Sequence, residues 1–60
     1  MSNTVKKDKI LNQTVFIKNQ LQDLFVKLEN ADLFEKSEKL DSIIAQYSDF
    51  VVEIKDDMQS

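Results

Sequence analysis

From Asp8 to about Asn30 the apolar residues recur at alternating intervals of four and three. Ile10, Ile17, Leu21, Leu24, Leu28 and Ala31 form the series, with Thr14 in its one gap. That spacing is a heptad seam held over three repeats, and it predicts a first helix over about 8–30. Leu11 and Phe25 widen the stripe on one side and Phe16 on the other, while Val15 and Val26 are expected to point outward. Gln13 and Gln20 lie beside the seam and soften it. A second seam runs through Leu33, Ser37, Leu40, Ile44, Tyr47, Val51, Ile54 and Met58, again in strict steps of four and three. It predicts a second helix over about 33–57. Ser37 is the one member of this series that is neither apolar nor aromatic. Ile43 and Phe50 sit seven apart on one shoulder of that helix; Asp41 and Ser48 lie on the other.

The break between the seams falls at Glu29-Asn30-Ala31-Asp32. Asn30 is the expected left-handed helix end, because asparagine tolerates that conformation better than most residues. Asp32 followed by Glu35 resembles a capping box with the aspartate as N-cap. A connection of two to four residues makes neighbouring helices antiparallel; without the break, one continuous helix is the other arrangement. The polar stretches Met1–Lys7 and Lys55–Ser60 are expected to fray. The fold expected is an all-α, two-helix antiparallel hairpin with coiled-coil-like packing, a single domain over residues 1–60.

Composition narrows what such a hairpin can do. The 60 residues include no Gly, Pro, Cys, His or Trp. Without Gly or Pro there are few turn residues for a sheet or a phosphate-cradling loop. Without Cys or His there is no disulfide, no Cys/His zinc site and no histidine-based triad. A chain this short hides only about 60% of the surface its unfolded form exposes, so a partner is the remaining source of stability. The half-covered shoulders Ile43, Phe50, Phe16 and Phe25 suggest a second interface. A homodimer forming a four-helix bundle is one solution, and a helix-on-helix complex with another protein is the other.

Eleven acids against eight basic residues leave a net charge of −3, and the Lys6-Lys7-Asp8-Lys9 cluster is interrupted by its aspartate. Nucleic acid is therefore not an expected partner. No apolar run approaches the roughly 20 residues that span a bilayer, and the N-terminus has no signal-peptide block. A cytoplasmic protein that needs no membrane is expected.

A hairpin this thin has no enclosed pocket for a small substrate, so any catalysis must share a site with a macromolecule. Asp41 suits that arrangement. At 100° per residue it lies beside Leu40 at the edge of the buried stripe, one turn after Ser37. A carboxylate fixed there can hold or deprotonate a water molecule for attack on a phosphoryl group. The same pair also reads as a helix cap, with the acid favouring the dipole and the hydroxyl bonding to backbone. Tyr47 reads as a core ring with its hydroxyl at the rim. Phe34 is placed either to pack against the loop or to anchor a partner.

As a unit, Ser37-Glu38-Lys39-Leu40-Asp41-Ser42-Ile43-Ile44-Ala45-Gln46-Tyr47 resembles the signature of the small aspartyl-phosphate phosphatases related to the stage 0 sporulation regulatory protein E. That signature is Ser-Gln-Glu-Leu-Asp, then an apolar residue three on and often an aromatic three beyond. The match is at Ser37, Leu40, Asp41, Ile44 and Tyr47. Glu38 and Lys39 depart from it, and the resemblance spans roughly residues 8–52. It implies a phosphatase that removes the phosphoryl group from the phospho-aspartate of a sporulation response regulator, negatively regulating sporulation. By the same resemblance Asp41 is the essential acid that assists water, Ser37 supports it, and magnesium belongs to the regulator, so the chain has no cofactor of its own. Phe34, Glu38, Lys39 and Tyr47 are the expected partner-binding positions. The contrasting reading is a non-catalytic helical module that sequesters a partner or dimerises.

Overall fold

The computed structural model describes residues 2–59, which form two helices and no strand. Helix α1 covers Ser2–Asn30 and helix α2 covers Phe34–Gln59. At 1.5 Å per residue they are roughly 43 and 39 Å long. They pack against each other as an antiparallel hairpin with extents of 47 × 16 × 8 Å. Both helices run further than the periodicity indicates. The segments 2–7 and 55–59 contain no Gly or Pro to stop the helix, and the Lys, Met and Gln among their residues favour it well enough for it to continue.

The connection departs from the expected capping. Asp32, with φ at 61°, takes the left-handed position in place of Asn30. The Ala31 N–H donates to the Lys27 carbonyl at 3.1 Å and the Asp32 N–H to the Glu29 carbonyl at 3.0 Å. The Leu33 N–H donates back to the Leu28 carbonyl at 2.9 Å. This 5→2 and 6→1 pair is a Schellman closure, which satisfies carbonyls that the end of α1 would otherwise leave open. Leu33 then acts as N-cap of α2, its carbonyl accepting from the Ser37 N–H at 2.9 Å. Asp32 is therefore spent on ending α1 and does not cap α2.

Packing follows the second seam closely and the first less so. In α2, Ser37, Leu40 and Val51 are buried, while Ile44, Tyr47, Ile54 and Met58 are half-buried. Leu33, at the loop, is exposed. In α1 the stripe that meets α2 is Leu11, Thr14, Lys18, Leu21, Phe25 and Leu28, with Val15 half-buried beside it. Ile10, Ile17 and Leu24, expected at the centre, stand 50, 39 and 45% exposed on its flank. Thr14, Leu21 and Leu28 are shared by both series, and the alternate positions shift by one, from Ile10, Ile17 and Leu24 to Leu11, Lys18 and Phe25. Counting apolar residues favours the flank. Packing against α2 selects the other side, where Leu11, Lys18 and Phe25 are half-buried. Lys18 is accommodated because its aliphatic stem can cover apolar surface while its ammonium group stays in water.

Tyr47 supplies a long-range polar tie between the two helices. Its hydroxyl donates to the Thr14 carbonyl at 3.0 Å, across 33 residues of sequence. The Thr14 hydroxyl donates in turn to the Ile10 carbonyl at 2.7 Å, so a buried polar residue in the seam is satisfied within its own helix. Near the loop, Lys27 pairs with Asp23 at 3.0 Å, four residues earlier on an exposed surface. Such a pair is worth about 0.3–0.5 kcal/mol.

Candidate functional site

The expected motif occupies the first two turns of α2, immediately beyond the Schellman closure. Ser37 is the most deeply buried residue there, at 2% exposure. Its hydroxyl donates to the Phe34 carbonyl at 2.9 Å, which turns the side chain back onto its own helix. A small residue at this point lets the start of α2 approach the end of α1, and the local bond leaves no buried oxygen unsatisfied. Leu40, buried one turn later, fixes the same stretch from the apolar side. These two anchors hold the backbone that carries Asp41.

Asp41 itself is exposed. It follows Leu40 directly and therefore lies at the edge of the seam, on the flank that also carries Phe34 seven residues before it and Ser48 seven after. Phe34 is exposed and lines a shallow hollow at the loop with Asp32, Leu33, Glu35 and Lys36. The exposed Leu33 beside it makes this end of the hairpin an apolar tip next to an acid. Glu38 and Lys39 are both exposed and turned from the seam.

The expected site residues thus separate into two groups. Asp41, Phe34, Glu38 and Lys39 are open to solvent at the loop end. Ser37 and Tyr47 are committed to the hairpin: one is buried and bonded to Phe34, the other is half-buried, bonded to Thr14, and in tilted ring contact with Phe50 at 5.8 Å. In an antiparallel pair, flank positions that follow the seam on each helix face the same side, so Val15 and Gln22 of α1 share Asp41's face. Neither stands out in the sequence, where only the partner helix's register selects them.

Among the described residues no three carboxylates converge to hold a metal ion, and no helix is long and apolar enough to cross a membrane. Chemically the arrangement offers several exposed carboxylates on α2, of which Asp41 lies at the edge of the seam beside the buried Leu40, with the exposed Phe34 two turns away. Comparison with protein-family models, curated proteins and solved structures finds no match to this chain.

Proposed function

We propose that the protein is an aspartyl-phosphate phosphatase that acts on a phosphorylated response regulator of sporulation. The observation that supports this reading is the exposed Asp41 on a helical turn whose other two motif residues, Ser37 and Leu40, are buried. Together with the resemblance of residues 37–47 to the phosphatase signature, it separates one presented acid from its supports. Asp41 enters the regulator's active site and orients a water molecule, accepting its proton as the water oxygen attacks phosphorus. The P–O bond to the regulator's aspartyl carboxyl breaks, and inorganic phosphate and the free carboxylate are released. Magnesium, held by the regulator, offsets the charge on the phosphoryl oxygens.

Ser37 acts as a positioning residue in this reading, since its hydroxyl is turned inward. Phe34 and Leu33 supply apolar anchors at the loop, and the exposed Glu38 and Lys39 select the regulator. The test is loss of label from a phosphorylated sporulation regulator in the presence of wild type and of Asp41→Ala. Wild type accelerates the loss and the alanine variant does not. Equal rates for the two would remove Asp41 from the mechanism.

A non-catalytic helical module is the second reading, favoured by the exposed apolar residues away from Asp41. It predicts that Asp41→Ala is silent while charge at Ile43 or Phe50 abolishes function.

A further inference from the structure

Asp41 shares its flank of the hairpin with an exposed polar residue of the other helix. Asp41 directly follows the buried Leu40 of α2, and Gln22 directly follows the half-buried Leu21 of α1. Their levels are set from both ends of the hairpin. From the Tyr47–Thr14 bond, Asp41 lies six residues toward the loop and Gln22 eight. From the Leu33–Leu28 closure, Asp41 lies eight residues away and Gln22 six. Both counts place Gln22 about 3 Å nearer the loop than Asp41, well within one turn. The remaining α1 positions on this flank are less suited. Val15 is half-buried and apolar, and Asp8 and Glu29 are acids two heptads and one heptad from Gln22. Among the described residues, neither the Asp41 carboxylate nor the Gln22 amide has a hydrogen bond or ion pair. Two free side chains on adjoining flanks of helices packed roughly 8–10 Å apart can hold one small group between their tips.

We infer that Gln22 is a second catalytic residue of the phosphatase proposed above, holding the attacking water together with Asp41. The inference rests on that reading and adds a residue of α1 to it. A water molecule aims a lone pair at phosphorus only when both of its O–H bonds are directed elsewhere. Asp41 accepts one of them and takes that proton as the oxygen attacks. The Gln22 carbonyl oxygen accepts the other, which leaves the amide N–H groups to donate to a phosphoryl oxygen. The new P–O bond forms as the bond to the regulator's aspartyl oxygen breaks, and the amide neither gains nor loses a proton. A neutral group suits this place, because a second carboxylate would repel the phosphoryl oxygens that Asp41 already approaches. Glutamine performs the same orienting task for water in GTP hydrolysis.

The test measures kcat and KM for phosphate release from a phosphorylated sporulation regulator, with wild type, Asp41→Ala, Gln22→Met and Gln13→Met. Methionine keeps the length and helix propensity of glutamine and removes its amide. Gln13 lies nine residues from Gln22, on the opposite side of α1. Gln22→Met is expected to lower kcat about 10- to 100-fold, the worth of a hydrogen bond to a charged group, with KM near that of wild type. Gln13→Met is expected to match wild type. Gln22→Glu, isosteric and a good helix former, serves if Gln22→Met loses its helical circular dichroism; its kcat falls at least as far, because the N–H donor is gone. Wild-type kcat for the Gln22 variant, with Asp41→Ala inactive, overturns the inference and leaves the phosphatase reading standing. A raised KM at unchanged kcat makes Gln22 a docking contact and also overturns it. Equal slowing by Gln13→Met does the same. A wild-type protein that releases no phosphate removes both readings.

Discussion

Asp32 adopts a left-handed backbone that costs an ordinary residue about 1–2 kcal/mol, although aspartate tolerates it better than most. Glycine has no such cost, and Asp32→Gly is expected to stabilise the hairpin by about 0.5–1 kcal/mol in urea titration. A decrease in stability would mean that the Asp32 side chain contributes more than its backbone position does. Tyr47→Phe removes the bond to the Thr14 carbonyl and should cost about 0.5–1.5 kcal/mol in the same titration. At Ser37 the outcome depends on volume. Ser37→Ala keeps the fit and changes stability little, whereas Ser37→Leu forces bulk into a position that is 2% exposed and costs about 1–3 kcal/mol by thermal melting. At this scale the sequence was informative about Asp41, whose exposed edge position follows from its place beside Leu40. It was less so for Ser37 and Tyr47, because a hydroxyl's partner is decided by tertiary geometry: one bonds back to Phe34, the other reaches across to Thr14.

The two helices were not equally legible. In α2 the seam from Ser37 to Met58 and the buried side coincide, so Leu40, Ile44, Val51 and Ile54 could be placed from spacing alone. In α1 two stripes share Leu21 and Leu28, and the richer one, Ile10, Ile17 and Leu24, is left outside. The contact side keeps Thr14 from the expected series and adds Leu11, Lys18 and Phe25, of which Lys18 is one that no hydrophobicity count would choose. The loop was located correctly and its chemistry was not, since the Schellman closure puts Asp32 where Asn30 was expected. These differences have measurable consequences. Leu40→Ala should cost about 2–5 kcal/mol, while Leu24→Ala, at a position 45% exposed, should cost under about 1 kcal/mol. Lys18→Leu replaces a charged residue in the seam and should raise stability by about 1 kcal/mol. A fall on that substitution would return Lys18 to the solvent side and rotate the seam back.

For the whole molecule, the hairpin gives two broad faces with different chemistry. One carries the exposed apolar residues Ile10, Ile17, Leu24, Ile43 and Phe50. The other carries Asp41 with the Phe34 and Leu33 tip, suited to a partner that brings its own phosphoryl group and metal. The most direct test of that division uses the isosteric Asp41→Asn variant, with affinity for the phosphorylated regulator and the rate of phosphate release measured on the same samples. The expected result is binding near that of wild type with a rate lowered about 10²–10⁴-fold, the contribution of a positioned proton acceptor. Phosphate release by Asp41→Asn at the wild-type rate, at equal binding, would contradict the assignment of Asp41 as the acid that directs water.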